Sequence, residues 1–373
     1  MVEPSGQVCG ARVTGVDLSS PLDEAAVDEI RAAWLEHHVL AFPEQSLSDD
    51  DLERFTLHFG PFGDDPFIVP VDGREHVIAI CRRAGETAPL FAENWHTDWS
   101  FQARPPAGTC LYGITIPPVG GDTLYADQHA ALNAMPADLR ARLEGRMAIH
   151  SARGGYAPSG MYGEADQQTD RSMDIRPSED AMATQLHPIV REHPETAQLG
   201  LFGCIGYIIG IEGLSDDDAR NLLYELYQWQ TRDEFVYRHQ WEPEMLVMWD
   251  NRSVLHRATG GYDGHDRLLR AEAVQQPLVQ RIVRVVLGGL GRRAHDDEDA
   301  VVGCAVGIDA QAGEPESAQD GWIRLESGQV VVLLEAGVPE QLRGLGARPL
   351  EALDRDRVGD DHPVRGPPGQ LAL

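Results

Sequence analysis

The chain has 373 residues carrying 31 basic against 60 acidic side chains, a formal net charge of −29, which disfavours partners bound through clustered cations: nucleic acid and anionic membrane surfaces. No lysine occurs, so lysine Schiff-base chemistry is excluded, and the arginine-only usage is read as a coding bias. The five cysteines (Cys9, Cys81, Cys110, Cys204, Cys304) are odd in number, widely spaced and never in Cys-x-x-Cys, which argues against a disulfide framework or a structural zinc site.

In chain order, Asp23 is placed to cap a helix running to about Glu36, with Val27, Ile30 and Trp34 on one face. Ser48 with Asp51 forms a capping-box pattern ahead of Leu52, Phe55 and Phe59. Val77 to Ile80, Thr109 to Ile116 and Leu201 to Ile211 are apolar runs of strand length. Between them, Gly154 to Pro177 is rich in Gly, Ser, Asp and Gln without a period, and is expected to be a long loop. It is either a lid, with Tyr156, Met161 and Tyr162 against substrate, or a mobile surface insertion. Ser215 with Asp218 repeats the capping device ahead of Leu222, Leu223, Leu226 and Trp229. Met245 to Trp249 is expected to be a buried strand, Asp250 to Arg252 a turn, and His256 the start of renewed structure.

Of the 7 Trp, 9 Tyr and 9 Phe, Trp322 alone lies beyond Arg270. Residues 1–274 are therefore expected to form one domain, and 275–373 a poorly ordered acidic extension or a frameshifted tail. Two apolar runs there, Ile282 to Leu287 and Val330 to Leu334, have strand length. No apolar stretch approaches about eighteen residues and no basic-then-apolar leader opens the chain, so the expected location is cytoplasmic. Self-association is left open.

Two segments carry chemistry: Glu93-Asn94-Trp95-His96-Thr97-Asp98-Trp99, and Trp249-Asp250-Asn251-Arg252-Ser253-Val254-Leu255-His256 with Arg267 beyond it. In extended chain, residues two apart share a face, so His96 and Asp98 are expected to chelate one ion from a strand edge. A second such pair, His295 and Asp297, lies in a run of solvated charges, whereas His96 and Asp98 lie among Trp95, Trp99 and Phe101. Two histidines and one carboxylate on one face of ferrous iron leave positions for a bidentate oxo-acid and dioxygen. Ferrous iron also favours a reducing compartment.

In order along residues 8 to 274, the chain resembles the taurine dioxygenase and 2,4-dichlorophenoxyacetate dioxygenase (TauD/TfdA) family of iron(II)- and 2-oxoglutarate-dependent oxygenases. The resemblance rests on Gly10 to Leu18, His37 to Phe42, Phe59-Gly60-Pro61, the His96 motif, Pro118 to Thr123, His193-Pro194-Glu195-Thr196, and the Trp249 to His256 block with Arg267. It implies a mainly β chain whose core is a double-stranded β-helix, or jelly roll, with flanking helices. It implies that His96, Asp98 and His256 are the iron ligands and catalytic centre. Thr123 and Arg267 would grip the distal carboxylate of 2-oxoglutarate, a task suited to a guanidinium fork assisted by a hydroxyl. The implied activity is hydroxylation of a small organic substrate with dioxygen, releasing succinate and carbon dioxide. A carboxylate at position 98 implies hydroxylation and not halogenation.

The chain departs from the resemblance at one position. Relatives acting on anions often carry a second arginine four residues after the first; that position is Ala271, with Arg270 one residue earlier. Either Arg270 faces outward, or a bulge turns it inward. Two rival readings use the same residues: a catalytically impaired binding homologue, and a zinc hydrolase, which would need neither Arg267 nor Thr123.

Overall fold

The computed structural model describes residues 1–276, together with the backbone of 321–324 and 331–334. The chain divides into two units, Met1–Leu278 and Val279–Leu373.

Helix starts follow the local capping chemistry. The Asp23 carboxylate accepts from the Ala26 amide at 2.8 Å and opens the helix Glu24–His37, which buries Ile30 and Trp34. At Ser48 both halves of the capping box form, starting the helix Asp49–Leu57, with Leu52 and Phe55 buried. Ser215 accepts from the Asp218 amide and starts Asp216–Gln230, which buries Leu222, Leu223 and Leu226.

The larger sheet runs in the spatial order Val2–Pro4, Ala11–Val13, Val39–Phe42, Met245–Asp250, Gly108–Thr115, Arg267–Val274 and Ile78–Arg82. Its central strands are buried on both faces, and their alternation divides them between two cores. Val39, Ala41, Met245, Val247, Trp249, Leu269 and Ala271 join Tyr125, Tyr237 and Val254 in one core. Leu40, Phe42, Leu246 and Met248 pack with Trp34, Leu52 and Phe55 of the two N-terminal helices and with Phe59 just beyond the second. Tyr125, Tyr237 and Val254 come from a smaller antiparallel sheet of Val236–His239, Thr123–Asp127 and Val254–Ala258. The two sheets enclosing the first core form the jelly roll, and the functional residues lie on its inner walls.

Leu201 to Ile211 is not one strand. It divides into the end of Leu199–Leu201 and the strand Ile208–Ile211, which lie in different sheets. Gly203 adopts φ 78°, and the Tyr207 amide closes a turn on the Cys204 carbonyl at 3.1 Å. A Cβ at Gly203 would come within 2.5 Å of the His150 ring, so the break requires glycine. The segment 154–177 contains no strand, but it is packed by aromatic and ionic anchors: Tyr156 and Tyr162 are buried, and Arg171 grips Asp166 at 2.6 and 3.0 Å.

In the second unit, Gly321–Arg324 pairs antiparallel with Val331–Leu334. The expectations for Ile282 to Leu287, for His295 and Asp297, and for the rest of 275–373 lie outside the described residues.

Candidate metal centre and co-substrate pocket

The strand Val254–Ala258 brings His256 to the cavity, and His96 is zipped to it through the backbone. The His96 amide donates to the His256 carbonyl at 3.0 Å, and the His256 amide returns a bond of 2.7 Å to the His96 carbonyl. Only His96 has strand-like pairing; Asp98 already belongs to a turn, so the pair is not the strand-edge chelate expected from its spacing. The segment is bracketed by Ala92 at φ 58° and Trp99 at φ 44°, left-handed conformations that non-glycine residues adopt at a cost and that cluster at functional sites.

Side chains converge as well. Asp98 Oδ1 lies 3.6 Å from His96 Nε2 and 3.5 Å from His256 Nε2, and one ligand atom from each residue fits within 4.8 Å of the others. The two imidazole rings are 4.2 Å apart, centre to centre. His96 Nδ1 lies 2.8 Å from the Asn94 carbonyl, a contact that puts the proton on Nδ1 and leaves Nε2 its lone pair. Burial, reinforced by His96 and opposed by Asp98, pushes the His256 imidazole down to about 3, so it is neutral and able to ligate. Two neutral imidazoles and one carboxylate suit a ferrous ion.

Asp98 is held from behind by residues that sequence reasoning missed. Thr109 Oγ1 donates to Asp98 Oδ2 at 2.6 Å, which leaves Oδ1 toward the histidines. Asn251 Nδ2 donates to Thr109 Oγ1 at 3.0 Å, and Asn251 Oδ1 accepts from Trp249 Nε1 at 2.9 Å. The available signal was a threonine opening an apolar strand opposite the Trp-Asp-Asn-Arg block. Deeper, Arg252 forks onto Asp250 at 2.8 and 2.7 Å and donates to Glu195 at 2.7 Å, while His193 Nε2 lies 3.0 Å from Asp250. Burial alone would raise the Asp250 carboxyl, but Arg252 and His193 outweigh it and hold it well below the usual carboxylate range. This network fixes the turn between Trp249 and His256 and gives the His193 to Thr196 motif a structural role.

Thr123 and Arg267 line the same cavity, a cleft of about 100 Å³. Arg267 is 6% exposed, and its one hydrogen bond goes to the Gly121 carbonyl at 3.2 Å. Its Nε is buried and unpartnered, and among the described residues no carboxylate pairs with it. Burial lowers its pKa, so an anion arriving there would be strongly favoured. Thr123 Oγ1 accepts from Trp241 Nε1 at 2.9 Å, which aims its own proton elsewhere. Gly121, at φ 70°, makes room: a Cβ there would sit 3.3 Å from Arg267 Nε.

Arg270 faces away from the cavity. Its Nε lies 3.3 Å from Asp49 on the helix side, whereas Ala271 and Ala273 line the cleft. A register shift does occur in this strand, between Leu268 and Leu269, but it does not turn Arg270 inward. The remaining lining is largely apolar, including Ile68, Ile78, Phe91, Trp99 and Leu111, with Asp65 as a further acidic group. Tyr156 lines this cleft, and Tyr156, Met161 and Tyr162 line an adjoining one that shares His96 and Tyr207.

The family described as "Taurine catabolism dioxygenase TauD, TfdA family" matches residues 2–271. The alpha-ketoglutarate-dependent 2,4-dichlorophenoxyacetate dioxygenase of Cupriavidus pinatubonensis is 36% identical over 278 residues, covering 69% of this chain and 91% of that protein. A crystal structure described as a putative alpha-ketoglutarate-dependent taurine dioxygenase from Burkholderia xenovorans superposes with a TM-score of 0.61 at 30% identity, over 74% of this chain and 93% of that one. The structure of AAD-2 in complex with Mn(II) and N-oxalylglycine gives 0.59 at 27% identity, over 74% and 97%.

Proposed function

The chain belongs to the taurine catabolism dioxygenase TauD, TfdA family and is a non-haem iron(II)- and 2-oxoglutarate-dependent dioxygenase of small organic substrates; we propose that it hydroxylates its substrate, with release of succinate and carbon dioxide. The observation that carries this reading is the convergence of His96, Asp98 and His256 on one cavity wall with a buried, unpaired Arg267 in the same cavity.

In this reading His96 Nε2, Asp98 Oδ1 and His256 Nε2 hold the iron. When bound, iron(II) supplies the redox chemistry that couples dioxygen to oxidative decarboxylation of 2-oxoglutarate and to oxygenation of a C–H bond. Arg267 takes the distal carboxylate of 2-oxoglutarate, and Thr123 adds a hydrogen bond to it. Thr109 keeps Asp98 turned with one oxygen inward. Because Asp98 occupies a coordination position, chloride finds no site beside the ion and hydroxylation is the expected outcome. We assign residues 154–177 as a cover over the cleft, since Tyr156 lines it and Tyr162 lines the adjoining one that shares His96 and Tyr207, and 1–274 as the catalytic domain. A zinc hydrolase reading leaves the buried guanidinium of Arg267 without a purpose.

Anaerobic titration of the protein with Fe(II) and 2-oxoglutarate tests the proposal. A visible iron-to-keto-acid absorption band is expected, followed on admission of oxygen by succinate in step with a hydroxylated product. Metal binding without that band would overturn the 2-oxoglutarate assignment, and a chlorinated main product in chloride buffer would remove Asp98 from the ligand set.

A further inference from the structure

The substrate end of the cavity has an unusual charge balance. Arg267 is the one arginine lining it among the described residues, and in the function proposed above it is committed to 2-oxoglutarate. The nearest guanidinium along the same strand, Arg270, is turned to Asp49, and Arg82 is held by the Glu86 carboxylate at 3.3 Å and the Ala88 carbonyl at 2.8 Å. Ala271 presents only a methyl group. The imidazole of His76, which also lines the cavity, stacks on Phe62 with ring centres 4.7 Å apart and has Glu75 at 3.9 Å.

Against this stands Asp65. Its Oδ1 accepts from the Phe67 and Ile68 amides, each at 3.0 Å, which fixes the carboxyl group in place. Its Oδ2 is buried and has no hydrogen-bond partner. Burial pushes this carboxyl up to about 7 against the pull of the two amides, and a ligand that brings a donor to Oδ2 stabilises its ionised form. Ile68, Ile78, Phe91, Trp99 and Leu111 surround the rest of the space with apolar surface.

We infer that the substrate is an apolar molecule, aryl or alkyl in body, bearing an amine or hydroxyl donor for Asp65 Oδ2, and not a carboxylate or sulfonate. An anion placed there would meet Asp65, and among the described residues no free guanidinium lines the cavity to offset it. This rests on the function proposed above and adds the substrate class to it.

Three probes of one shape separate the cases: 2-phenoxyethylamine, 2-phenoxyethanol and phenoxyacetate. Each is titrated anaerobically into the full chain loaded with Fe(II) and 2-oxoglutarate, and binding is read as perturbation of the visible band. The amine or the alcohol is expected to bind at least about tenfold more tightly than phenoxyacetate. Asp65→Asn should erase most of that preference while leaving the 2-oxoglutarate titration unchanged, and a loss confined to the amine would identify a cationic donor. Ala271→Arg should bring phenoxyacetate up by a similar factor. Tighter or equal binding of phenoxyacetate by the unmodified protein, no binding of any probe, or an Asp65→Asn protein with unaltered order would each overturn the inference. Failure of the band to form at all would instead count against iron and 2-oxoglutarate binding.

Discussion

At the scale of single residues, the proposed centre depends on groups that are poor neighbours unless something binds between them. His96, Asp98 and His256 bring their ligand atoms within 4.8 Å, and His256 is buried and neutral. Replacing His256 with alanine removes one of three protein donors; iron retention after desalting and succinate formation should both be lost, with the circular dichroism spectrum retained. Thr109→Val is a finer probe, because it deletes only the 2.6 Å hydrogen bond to Asp98 Oδ2. Loss of a partner that orients a metal ligand typically costs about 10–100-fold in metal affinity or activity. Fe(II) titration should therefore weaken by about that factor, and Thr109→Ser should restore it; a valine variant with unchanged affinity would reduce the contact to packing. Arg267→Ala tests the other end of the pocket. Truncating one partner of a desolvated charge pair costs about 2–5 kcal/mol, so 2-oxoglutarate affinity should fall at least about tenfold while Fe(II) binding is spared.

At the scale of elements, the strand Arg267–Val274 carries opposite chemistry on its two faces. Ala271 and Ala273 line the cavity, while Arg270 points to the helix Asp49–Leu57 and Glu272, 1% exposed, lies beside Thr56 of that helix and forms no ion pair among the described residues. Burial, opposed by the Thr56 hydroxyl and reinforced by Glu53 and Asp49, pushes the Glu272 carboxyl up to about 8. The folded state therefore holds this proton more tightly than the unfolded chain. The contribution to stability is full below the ordinary glutamate range and is lost as pH rises toward 8. Glu272→Gln should gain stability relative to the unmodified protein by at least about 1 kcal/mol between pH 5 and pH 8, since a tenfold difference in proton affinity between the folded and unfolded chain is worth about 1.4 kcal/mol. Urea melts of the two proteins at both pH values measure this, and parallel pH dependence would mean that Glu272 is already ionised in the fold. The same strand shows where sequence legibility stopped. Capping at Asp23, Ser48 and Ser215 was readable because cap and amide lie within three residues of each other. The direction of Arg270 was not, because alternation alone could not say whether a bulge intervened, and the register shift lies one residue before it, between Leu268 and Leu269.

At the scale of the whole molecule, the residues proposed to hold iron could be picked out because each half of the candidate motif is a short word of chemically committed residues, which the fold brings together. Its supports could not, because they join distant strands. Thr109 meets Asn251 across 142 residues, and that meeting requires the pairing of Gly108–Thr115 with Met245–Asp250, which no local pattern encodes. Asp65 was invisible for a similar reason, since either aspartate of the Gly-Asp-Asp-Pro stretch reads as turn chemistry until the cavity forms beside it. The segment 154–177, by contrast, was legible as irregular but not as packed, since its anchors Tyr156 and Tyr162 are too sparse to set a period.

The domain boundary proposed near residue 274 can be tested on the same physical grounds. Every residue assigned to iron, 2-oxoglutarate or substrate lies before it, and the family match ends at residue 271. The chain just after the strand is still needed, for Gln275: its amide donates to the Pro61 carbonyl at 2.7 Å, and its side chain donates to the Arg104 carbonyl at 3.2 Å. A chain ending at Leu278 keeps these contacts and the whole of Arg267–Val274, which lies between Gly108–Thr115 and Ile78–Arg82 in the sheet. It should fold and give the same Fe(II)–2-oxoglutarate band as the full chain, with affinities within about twofold, because no ligand or anchor is altered. A chain ending at Leu269 removes Arg270 to Val274 and with them the pairing to residues 108–112 and to Ile78 and Ala79, so it should fail to bind 2-oxoglutarate even though His96, Asp98, His256 and Arg267 all remain. Loss of binding in the 278-residue chain, measured beside a folded circular dichroism spectrum, would show that residues beyond Leu278 take part in the site and would move the boundary of the catalytic domain into the second unit.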